Sequence, residues 1–402
     1  MRGPFRIFAI GRLLDSVGSG LTMSLLVVYL SEVRGLPILT ATLVLSWMAV
    51  VGLSATPAIG SLTDRFGPRA VMLVAVLIEA TGVFLTAFVT SAPSAFAVAS
   101  LVALGSAGIW GPASTLSARL VSDELRPTAF AVGFMLLNLG LGLGGLIAAS
   151  IVDLANPESF QVLYALDALT YLALWFAVWK LRGFGLLPAE HDVRETGGWL
   201  IVLRDRRLLA LVAVSLGLVM FGYGSMEAGL SLYITEVADE SARLIGIVFF
   251  ANTLTIVLGQ LFVLGWLRGR SRLRMVAVAG CLWGLAWLLI VSAAAVGAIL
   301  GAVLLVSYGA VFALGETVWS PTMPALVNAI APEELRGRYN SAQTLTWSMG
   351  SFLAPALAGS LIGAGLGALW AGVVGVGCLV VAFASQALRS RLTPAQDGLT
   401  PD

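Results

Sequence analysis

Long runs of apolar residues, separated by short polar segments, occupy almost the whole chain. Each run is long enough to cross a bilayer as one α-helix, which takes about 20 residues. A membrane β-barrel would instead show short segments of alternating hydrophobicity. The pattern therefore predicts an all-α integral membrane protein with twelve transmembrane helices. The predicted spans are 6–31, 38–62, 70–90, 94–120, 128–152, 160–181, 208–234, 244–265, 275–294, 297–326, 339–363 and 366–388.

Composition agrees with a membrane location. The chain is 58% hydrophobic and only 11% charged, whereas soluble domains carry about 25% charged residues. This excludes an ordinary soluble enzyme. The first apolar run also continues well past the length of a signal-peptide h-region without an A-x-A-like cleavage site, so we expect no cleavable signal peptide.

The positions of the basic residues predict an orientation. With the amino terminus placed in the cytoplasm, 20 of the 23 Lys and Arg residues fall in cytoplasmic segments. Arg34 and Arg243 fall outside, and Arg12 lies within the first span. Because cytoplasmic loops collect basic residues, we expect both termini in the cytoplasm and a multi-pass protein of the plasma membrane.

The two halves of the chain repeat each other. Four motifs recur in the same order, with offsets of 204 to 210 residues. The pairs are Tyr29-Leu-Ser-Glu-Val33 with Tyr233-Ile-Thr-Glu-Val237, Gly60-x-Leu62 with Gly265-x-Leu267, Trp110-Gly-Pro112 with Trp319-Ser-Pro321, and Glu124-Leu-Arg126 with Glu334-Leu-Arg336. The repeat predicts two pseudo-symmetric six-helix bundles, residues 1–181 and 208–402, the second ending in a short cytoplasmic tail. Residues 182–207 form the cytoplasmic linker. A parallel repeat of this kind places a substrate site near the membrane midplane.

Five acidic residues within the apolar spans are the main candidates for chemistry. A charged side chain near the bilayer centre costs about 2.5–3.5 kcal/mol, so each needs a partner, a cavity or a proton. Burial favours the neutral carboxyl group, which lets such residues bind and release protons. The five are Asp15, Glu79, Asp167, Glu227 and Glu316.

Structural roles remain open for some of them. Arg12 lies one helical turn before Asp15, so these two form either a functional pair or a structural ion pair. Glu227 is either a proton carrier or a solvated group near the outer mouth. No basic residue occurs between Arg274 and Arg336, so Glu316 has no local cation and is the stronger candidate for protonation.

The segment between spans two and three carries a family signature. Gly60-Ser-Leu-Thr-Asp-Arg-Phe-Gly-Pro-Arg69 fits the pattern G-x-L-x-D-R-x-G-x-R in every fixed position. With this motif the whole chain resembles the major facilitator superfamily, and within it the twelve-span drug:proton antiporters. Span five, with Asn138-Leu-Gly140 followed by paired small residues, resembles the antiporter signature but lacks its proline.

The resemblance implies the major facilitator fold, with a central cavity lined by spans one, four, seven and ten. We assign to the proton-coupling and substrate cavity Arg12, Asp15, Trp110, Asn138, Glu227, Glu316 and Trp319. Glu79 and Asp167 lie on spans three and six, which this fold places at the periphery, and are secondary candidates. The tryptophans suit lipophilic cations, although packing or interfacial roles are equally common for tryptophan.

The resemblance also implies a conformational gate at the cytoplasmic face. In the superfamily, the acid of this signature pairs across helices and stabilises the outward-open state. Expected partners of Asp64 are Arg65, Arg69 and Arg119, with Asp123 joining them. Gly67 suits a tight turn, and Gly60 would allow close helix approach. The second copy of the motif has Gly269 in the position of the acid, so the gate is asymmetric.

These features predict a secondary active transporter and not an enzyme. It exports hydrophobic or cationic small molecules in exchange for protons, working as a monomer in the lipid bilayer without nucleic acid. The alternative is proton-linked or facilitated uptake of a small metabolite, which the missing proline in span five keeps open. A transport-incompetent sensor is a further alternative.

We expect neither metal nor cofactor. Cys281 and Cys378 lie in apolar spans, and the single histidine, His191, lies in the linker. The chain has no P-loop motif that would indicate ATP hydrolysis, and the spans lack the histidines of an intramembrane protease.

Overall fold

The structure of the protein is a computed structural model. It describes residues 3–23, 25–153, 156–183, 198–238, 242–293 and 295–399. Residues 184–197, which make up most of the predicted linker and include His191, lie outside the described residues.

The described part of the chain contains helices and no strands. The helices before the linker are α1 (Gly3–Thr22), α2 (Leu26–Val28), α3 (Ile38–Phe66), α4 (Pro68–Thr86), α5 (Ala92–Arg119), α6 (Arg126–Ile151) and α7 (Pro157–Lys180). Those after it are α8 (Trp199–Val202), α9 (Arg206–Leu218), α10 (Ser225–Leu232), α11 (Ala242–Leu267), α12 (Arg272–Ala293), α13 (Ala298–Ile330), α14 (Arg336–Gly363) and α15 (Gly367–Ser385).

Shorter helical segments complete these elements. π-helical turns occupy Tyr29–Val33 after α2, Val219–Gly224 between α9 and α10, and Tyr233–Val237 after α10. Short 3₁₀ turns occupy Asp123–Leu125, Glu333–Leu335 and Gln386–Arg391.

Eleven helices in the described residues are long and apolar enough to span a membrane. The bent pair Gly3–Thr22 and Leu26–Val33, with an angle of 42°, makes a twelfth span when counted as one. The prediction of an all-α membrane protein with twelve spans is confirmed. Span seven differs from a simple helix because a π-helical turn interrupts it between α9 and α10.

The chain divides into two compact units. The first unit contains Met1–Trp199 together with Pro332–Thr344, the latter being the turn before α14 and the first part of that helix. The second unit contains Leu200–Ala331 and Leu345–Asp402. The chain therefore passes between units three times: inside the predicted linker, between Ala331 and Pro332, and within α14.

The sequence repeat reappears in the packing of each unit. In the first unit, α4 packs against α5 and α7, and α3 packs against α5. In the second, α12 packs against α13 and α15, and α11 packs against α13. Counted as membrane spans, each unit packs its third span against its fourth and sixth, and its second span against its fourth.

Two tyrosines of the repeated motifs show the repeat in detail. Tyr29 and Tyr233 each begin a π-helical turn and are fully buried. The Tyr29 hydroxyl donates to the Ala87 carbonyl, just after α4, at 2.8 Å. The Tyr233 hydroxyl donates to the Ile290 carbonyl in α12 at 3.4 Å. Each tyrosine therefore bonds the end of the first span of its unit to the third span of the same unit.

Close contact between α4 and α5 depends on Gly105. A Cβ at this position would lie 2.6 Å from the Glu79 backbone nitrogen. We therefore expect Gly105→Ala to destabilise the protein by about 1–3 kcal/mol through overpacking. Gly133→Ala is the matched control because a Cβ there meets nothing within 4 Å, and alanine favours a helix. Thermal unfolding in detergent tests both, and equal melting temperatures would contradict the expectation for Gly105.

Candidate functional site

The intramembrane acids form two groups, one in each unit. Asp15, Glu79 and Asp167 belong to the first unit, and their exposed fractions are 4%, 5% and 1%. Glu316, which is 2% exposed, belongs to the second unit together with Glu227, which is exposed. The two groups differ in their neighbours.

In the first unit, Arg12 and Asp15 form an ion pair on α1. Arg12 Nη1 lies 2.5 Å from Asp15 Oδ2. The same guanidinium lies over the ring of Trp110 on α5, 5.0 Å from its centroid. Trp110 is 48% exposed, so this stack presents an aromatic face with a buried ion pair beside it.

Glu79 and Asp167 lie in the same electrostatic cluster as Asp15. The Tyr171 hydroxyl donates to Glu79 Oε1 at 3.0 Å, and the Thr22 hydroxyl donates to Asp167 Oδ2 at 2.6 Å. The charges of Asp15 and Asp167 both act on Glu79. The two secondary candidates therefore lie near enough to Asp15 for the charges of the three acids to interact. We call Arg12, Asp15, Glu79 and Asp167 the three-acid cluster.

In the second unit, Glu316 on α13 is held by uncharged groups. The Asn252 side-chain amide on α11 donates to Glu316 Oε2, and the Tyr223 hydroxyl also hydrogen-bonds to this carboxyl group. Glu227 on α10 is close enough for its charge to act on Glu316. Glu227 is exposed and at the same time near enough to interact with Glu316.

Aromatic rings surround the Tyr223 side of Glu316. The centroid of the Tyr223 ring lies 4.5 Å from the centroid of the Trp347 ring. It lies 6.2 Å from the centroids of the Trp283 and Phe312 rings, and all three pairs pack edge to face. Tyr223 and Trp347 are half-buried, whereas Trp283 and Phe312 are fully buried. We call Tyr223, Trp347, Trp283 and Phe312 the aromatic cluster.

Trp319, predicted to line the cavity, is 3% exposed, and its ring centroid lies 5.6 Å from that of Trp283. It therefore packs against the buried side of the aromatic cluster. The half-buried tryptophan at this site is Trp347, which α14 turns toward Tyr223.

Tyr223 is placed by the π-helical turn Val219–Gly224. The turn shifts the register of span seven, and the Ser225 hydroxyl donates to the Met220 carbonyl five residues earlier at 2.9 Å. Gly222 allows the close approach of Trp283, since a Cβ there would lie 2.5 Å from that ring. Single π-helical turns in α-helices occur frequently at functional sites.

The signature acid Asp64, at the end of α3, binds the start of α14. Asp64 Oδ1 accepts from the Gly337 amide at 2.5 Å, and Oδ2 accepts from the Arg338 amide at 3.2 Å. Arg338 Nη1 completes the contact at 2.8 Å from Oδ2. A carboxylate at a helix amino terminus satisfies free amides and interacts favourably with the helix dipole. All of these residues belong to the first unit.

The expected arginine partners of Asp64 bond elsewhere. Arg65 is exposed and lies over the Phe66 ring. Arg69 donates to the Val178 and Trp179 carbonyls at 3.2 and 2.8 Å, which fastens α4 to the end of α7. The sequence pointed to the nearest arginines along the chain, but the helices bring Arg338 to Asp64.

Arg119, at the end of α5, and Asp123, in the turn before α6, each form an ion pair. Arg119 Nε lies 2.9 Å from Glu333 Oε1, and its charge also acts on Asp64. Asp123 pairs with Arg126 at 2.7 Å, just as Glu333 pairs with Arg336 at 2.5 Å. Asp123 is therefore part of a repeated i, i+3 pair and has no bond to Asp64 among those described.

The signature glycines have the roles that the sequence suggested. Gly67 has a φ of 81° and directly precedes α4. A Cβ on Gly60 would lie 2.6 Å from Ser341 Oγ, so this glycine permits contact with α14. In the second copy of the motif Gly269 has a φ of 67°, a conformation that aspartate adopts less readily than glycine.

Sequence reasoning did not single out several residues of these sites. They are Thr22, Tyr171, Tyr223, Asn252, Glu333, Gly337 and Arg338. Asn252 and Tyr171 had a usable signal, since a polar group inside an apolar run needs a partner. Asn138, by contrast, is half-buried and donates to the Phe134 carbonyl of its own helix at 3.0 Å.

Among the described residues, no group of three or more His, Cys, Asp or Glu side chains could hold a metal ion. The sites offer carboxyl groups, hydroxyl donors and aromatic faces.

This architecture agrees with comparison to known proteins. The family model of the Major Facilitator Superfamily matches residues 8–355. The chain belongs to this superfamily. Its members are membrane transporters, and the resemblance drawn from the signature loop is confirmed.

Relatives within the superfamily are distant but cover most of the chain. An MFS-type transporter of Escherichia coli K12, YdeE, is 24% identical over 87% of this chain and 86% of its own. The multidrug resistance protein MdtH of Shigella boydii is 24% identical over 72% and 69%. A Na⁺, Li⁺, K⁺/H⁺ antiporter of Planococcus maritimus is 21% identical over 74% and 75%.

Solved structures agree on the fold. A bacterial homologue of the iron transporter ferroportin, in an outward-facing state, superposes with a TM-score of 0.83. The match covers 97% of this chain and 100% of that one, at 16% identity. Such low identity supports the superfamily fold alone.

Proposed function

We propose that this superfamily member is a proton-coupled exporter of hydrophobic, cationic small molecules. It works by alternating access as a monomer in the plasma membrane, with both termini in the cytoplasm. Protons moving inward drive the substrate outward.

The observation that carries this proposal is the environment of Glu316. This carboxyl group is buried, its hydrogen bonds come from Asn252 and Tyr223, and it lies beside the aromatic cluster. An ionised carboxylate in such a place lacks a compensating cation from its bonded neighbours. Either a proton or an organic cation could supply the missing charge, and aromatic faces attract cations of low hydration.

Competition for this carboxyl group couples the two species. A cation resting on Tyr223 and Trp347 favours ionised Glu316, whereas a proton on Glu316 removes that attraction and promotes release. Exchange of one proton for one singly charged cation moves no net charge across the membrane, so the pH gradient drives it and the membrane potential does not. A tenfold proton gradient supplies about 1.4 kcal/mol, which can support export without ATP.

Two of the relatives have names that fit this activity. MdtH is named as a multidrug resistance protein, and the Planococcus protein is named as a cation/proton antiporter. The aromatic faces beside Glu316 favour weakly hydrated cations over the alkali metal ions in the name of the Planococcus protein, so we assign lipophilic cations as the substrate class of the present protein. The contacts of Asp64 with α14 would serve as its cytoplasmic gate.

Transport in proteoliposomes tests the proposal. The purified protein is reconstituted, ethidium is enclosed, and an acidic exterior is imposed. We expect ethidium to leave faster than from protein-free vesicles, and a protonophore to abolish the difference. Uptake of ethidium with protons would favour the import alternative. Export driven by a Na⁺ gradient instead, or no movement in either direction, would also overturn the proposal.

A further inference from the structure

The segment after the 3₁₀ turn Gln386–Arg391 folds back onto the start of α12. We infer that this segment, residues 393–399, is a positioning element of the second unit. Asp397 holds the start of α12 and thereby fixes the level at which Trp283 lies in the aromatic cluster. We call residues 393–399 the tail turn. Its importance for transport rests on the proposed function, in which the aromatic cluster binds the cation.

The tail turn has a start signal in its own sequence. The Thr393 amide donates to Gln396 Oε1 at 3.1 Å, and the Gln396 amide donates to Thr393 Oγ1 at 3.3 Å. This reciprocal pair is a capping box, which satisfies free amides at the start of a helical turn. Pro394 occupies the next position, where the fixed φ of proline favours helical geometry and its missing N–H is not needed.

A glycine ends the tail turn. Gly398 has a φ of 80°, and its amide donates to the Ala395 carbonyl at 3.1 Å. The Leu399 amide donates to the Pro394 carbonyl at 2.9 Å. Two such bonds around a left-handed glycine form a Schellman motif. Start and stop signals this close together define one specific turn, which gives Asp397 a fixed position.

Asp397 binds the first turn of α12 through two of its oxygen atoms. The Leu273 amide donates to Asp397 Oδ1 at 2.9 Å, and the Arg272 amide donates to the Asp397 carbonyl at 2.7 Å. The Arg274 amide donates to Ser271 Oγ at 3.2 Å. Because the first amides of a helix have no partner within it, the tail turn satisfies two of them and Ser271 a third. Asp397 is accordingly only 4% exposed.

Further contacts fix the tail turn against α12. Arg272 Nη1 donates to the Gln396 carbonyl at 3.0 Å. A Cβ on Gly398 would lie 3.0 Å from Arg272 Nε, so this glycine also permits the close approach. The carboxylate of Asp397 lies at the positive end of the helix dipole, and Arg389 Nε lies 4.0 Å from its Oδ2. The contact therefore combines charge, hydrogen bonds and shape.

The first unit shows that a helix in this place does not require such a contact. α4 is the third span of the first unit, as α12 is of the second. It starts at Pro68 and receives no side-chain cap from the part of the chain that the structure describes. The tail turn is therefore an addition to the repeated fold, made on the helix that carries a residue of the aromatic cluster.

α12 connects the tail turn to the aromatic cluster. Trp283 lies ten residues after Leu273, which is about 15 Å along an α-helix. Its indole donates to the Phe312 carbonyl at 3.1 Å, and the two rings stack with their centroids 5.2 Å apart. A Cβ on Gly222 or on Gly315 would lie 2.5 Å from the indole. These close contacts leave Trp283 little room to slide, so its place depends on the level at which α12 is held.

Hydrogen–deuterium exchange of the full-length protein in lipid nanodiscs tests the hold on α12. Asp397→Ala removes the acceptor of the Leu273 amide, so we expect exchange in the first turn of α12 to become about tenfold faster. Asp397→Asn keeps an acceptor oxygen and should restore most of the protection. Ser390→Ala, which changes an exposed serine of the neighbouring 3₁₀ turn, is the control. Unchanged exchange in Asp397→Ala would overturn the inference.

Near-ultraviolet circular dichroism of the same variants tests the level of Trp283, because a tryptophan signal depends on the packing of its ring. We expect Asp397→Ala to alter the tryptophan bands and Asp397→Asn to resemble the wild type. In a Trp283→Phe background, which lacks the reporting ring, Asp397→Ala should leave the spectrum nearly unchanged.

A tail turn that only stabilised α12 would speed exchange without changing the tryptophan bands, and that result would contradict a positioning role. So would a spectral change of the same size in the Trp283→Phe background. Neither measurement uses ethidium. A wild-type protein that does not export ethidium would therefore overturn the proposed function, while exchange and dichroism would still decide the role of the tail turn.

Discussion

Glu316→Gln is expected to lower proton-driven ethidium export by at least about tenfold, corresponding to about 1.4 kcal/mol. Glutamine keeps the size of the side chain and can still bond with Asn252 and Tyr223. It cannot take up a proton or carry a charge. The substitution therefore removes the exchangeable group and leaves the packing of α13 against α11 intact.

Initial rates of ethidium export in proteoliposomes measure this effect. Glu124→Gln is the matched control, because Glu124 lies in the exposed 3₁₀ turn before α6, outside the proposed site. Thermal unfolding should show that both variants are folded. If Glu316→Gln exports ethidium at the wild-type rate under the same pH gradient, Glu316 is not the coupling acid.

Asp64→Asn is the second substitution with a large expected effect. It removes the charge that binds two amides at the start of α14 and the guanidinium of Arg338. Loss of a charged helix cap costs about 1–2 kcal/mol. Since we assign this contact to the gate, we expect export to fall several-fold in addition to a lower melting temperature.

Asp205→Asn provides the comparison for Asp64. Asp205 also caps a helix, accepting from the Arg207 amide at 2.8 Å at the start of α9, but it lies outside the signature loop. Because asparagine caps a helix about as well as aspartate, we expect a smaller loss of stability in this variant, with export retained. Equal loss of export in both variants would show that Asp64 acts only as a helix cap.

The sequence by itself determined the class, span number and family of this protein. Bilayer thickness imposes a fixed length on each apolar run, so hydrophobicity alone places the spans. The repeat was also readable, since motifs such as the one at Tyr29 and its copy at Tyr233 keep both their spacing and their contacts. Gly60 and Gly67 were interpretable because their roles depend on backbone geometry close to the motif.

Only the tertiary structure decided which distant side chains meet. Along the sequence, Asp64 is nearest to Arg65, yet its partner is Arg338, which lies 274 residues away. Asp167 could not be placed beside Asp15, because hydrophobicity that is nearly uniform around a membrane helix does not reveal which face turns inward. The helix rotations that buried Trp319 and turned Trp347 toward Tyr223 were set by packing between spans, and that packing depends on the whole unit at once.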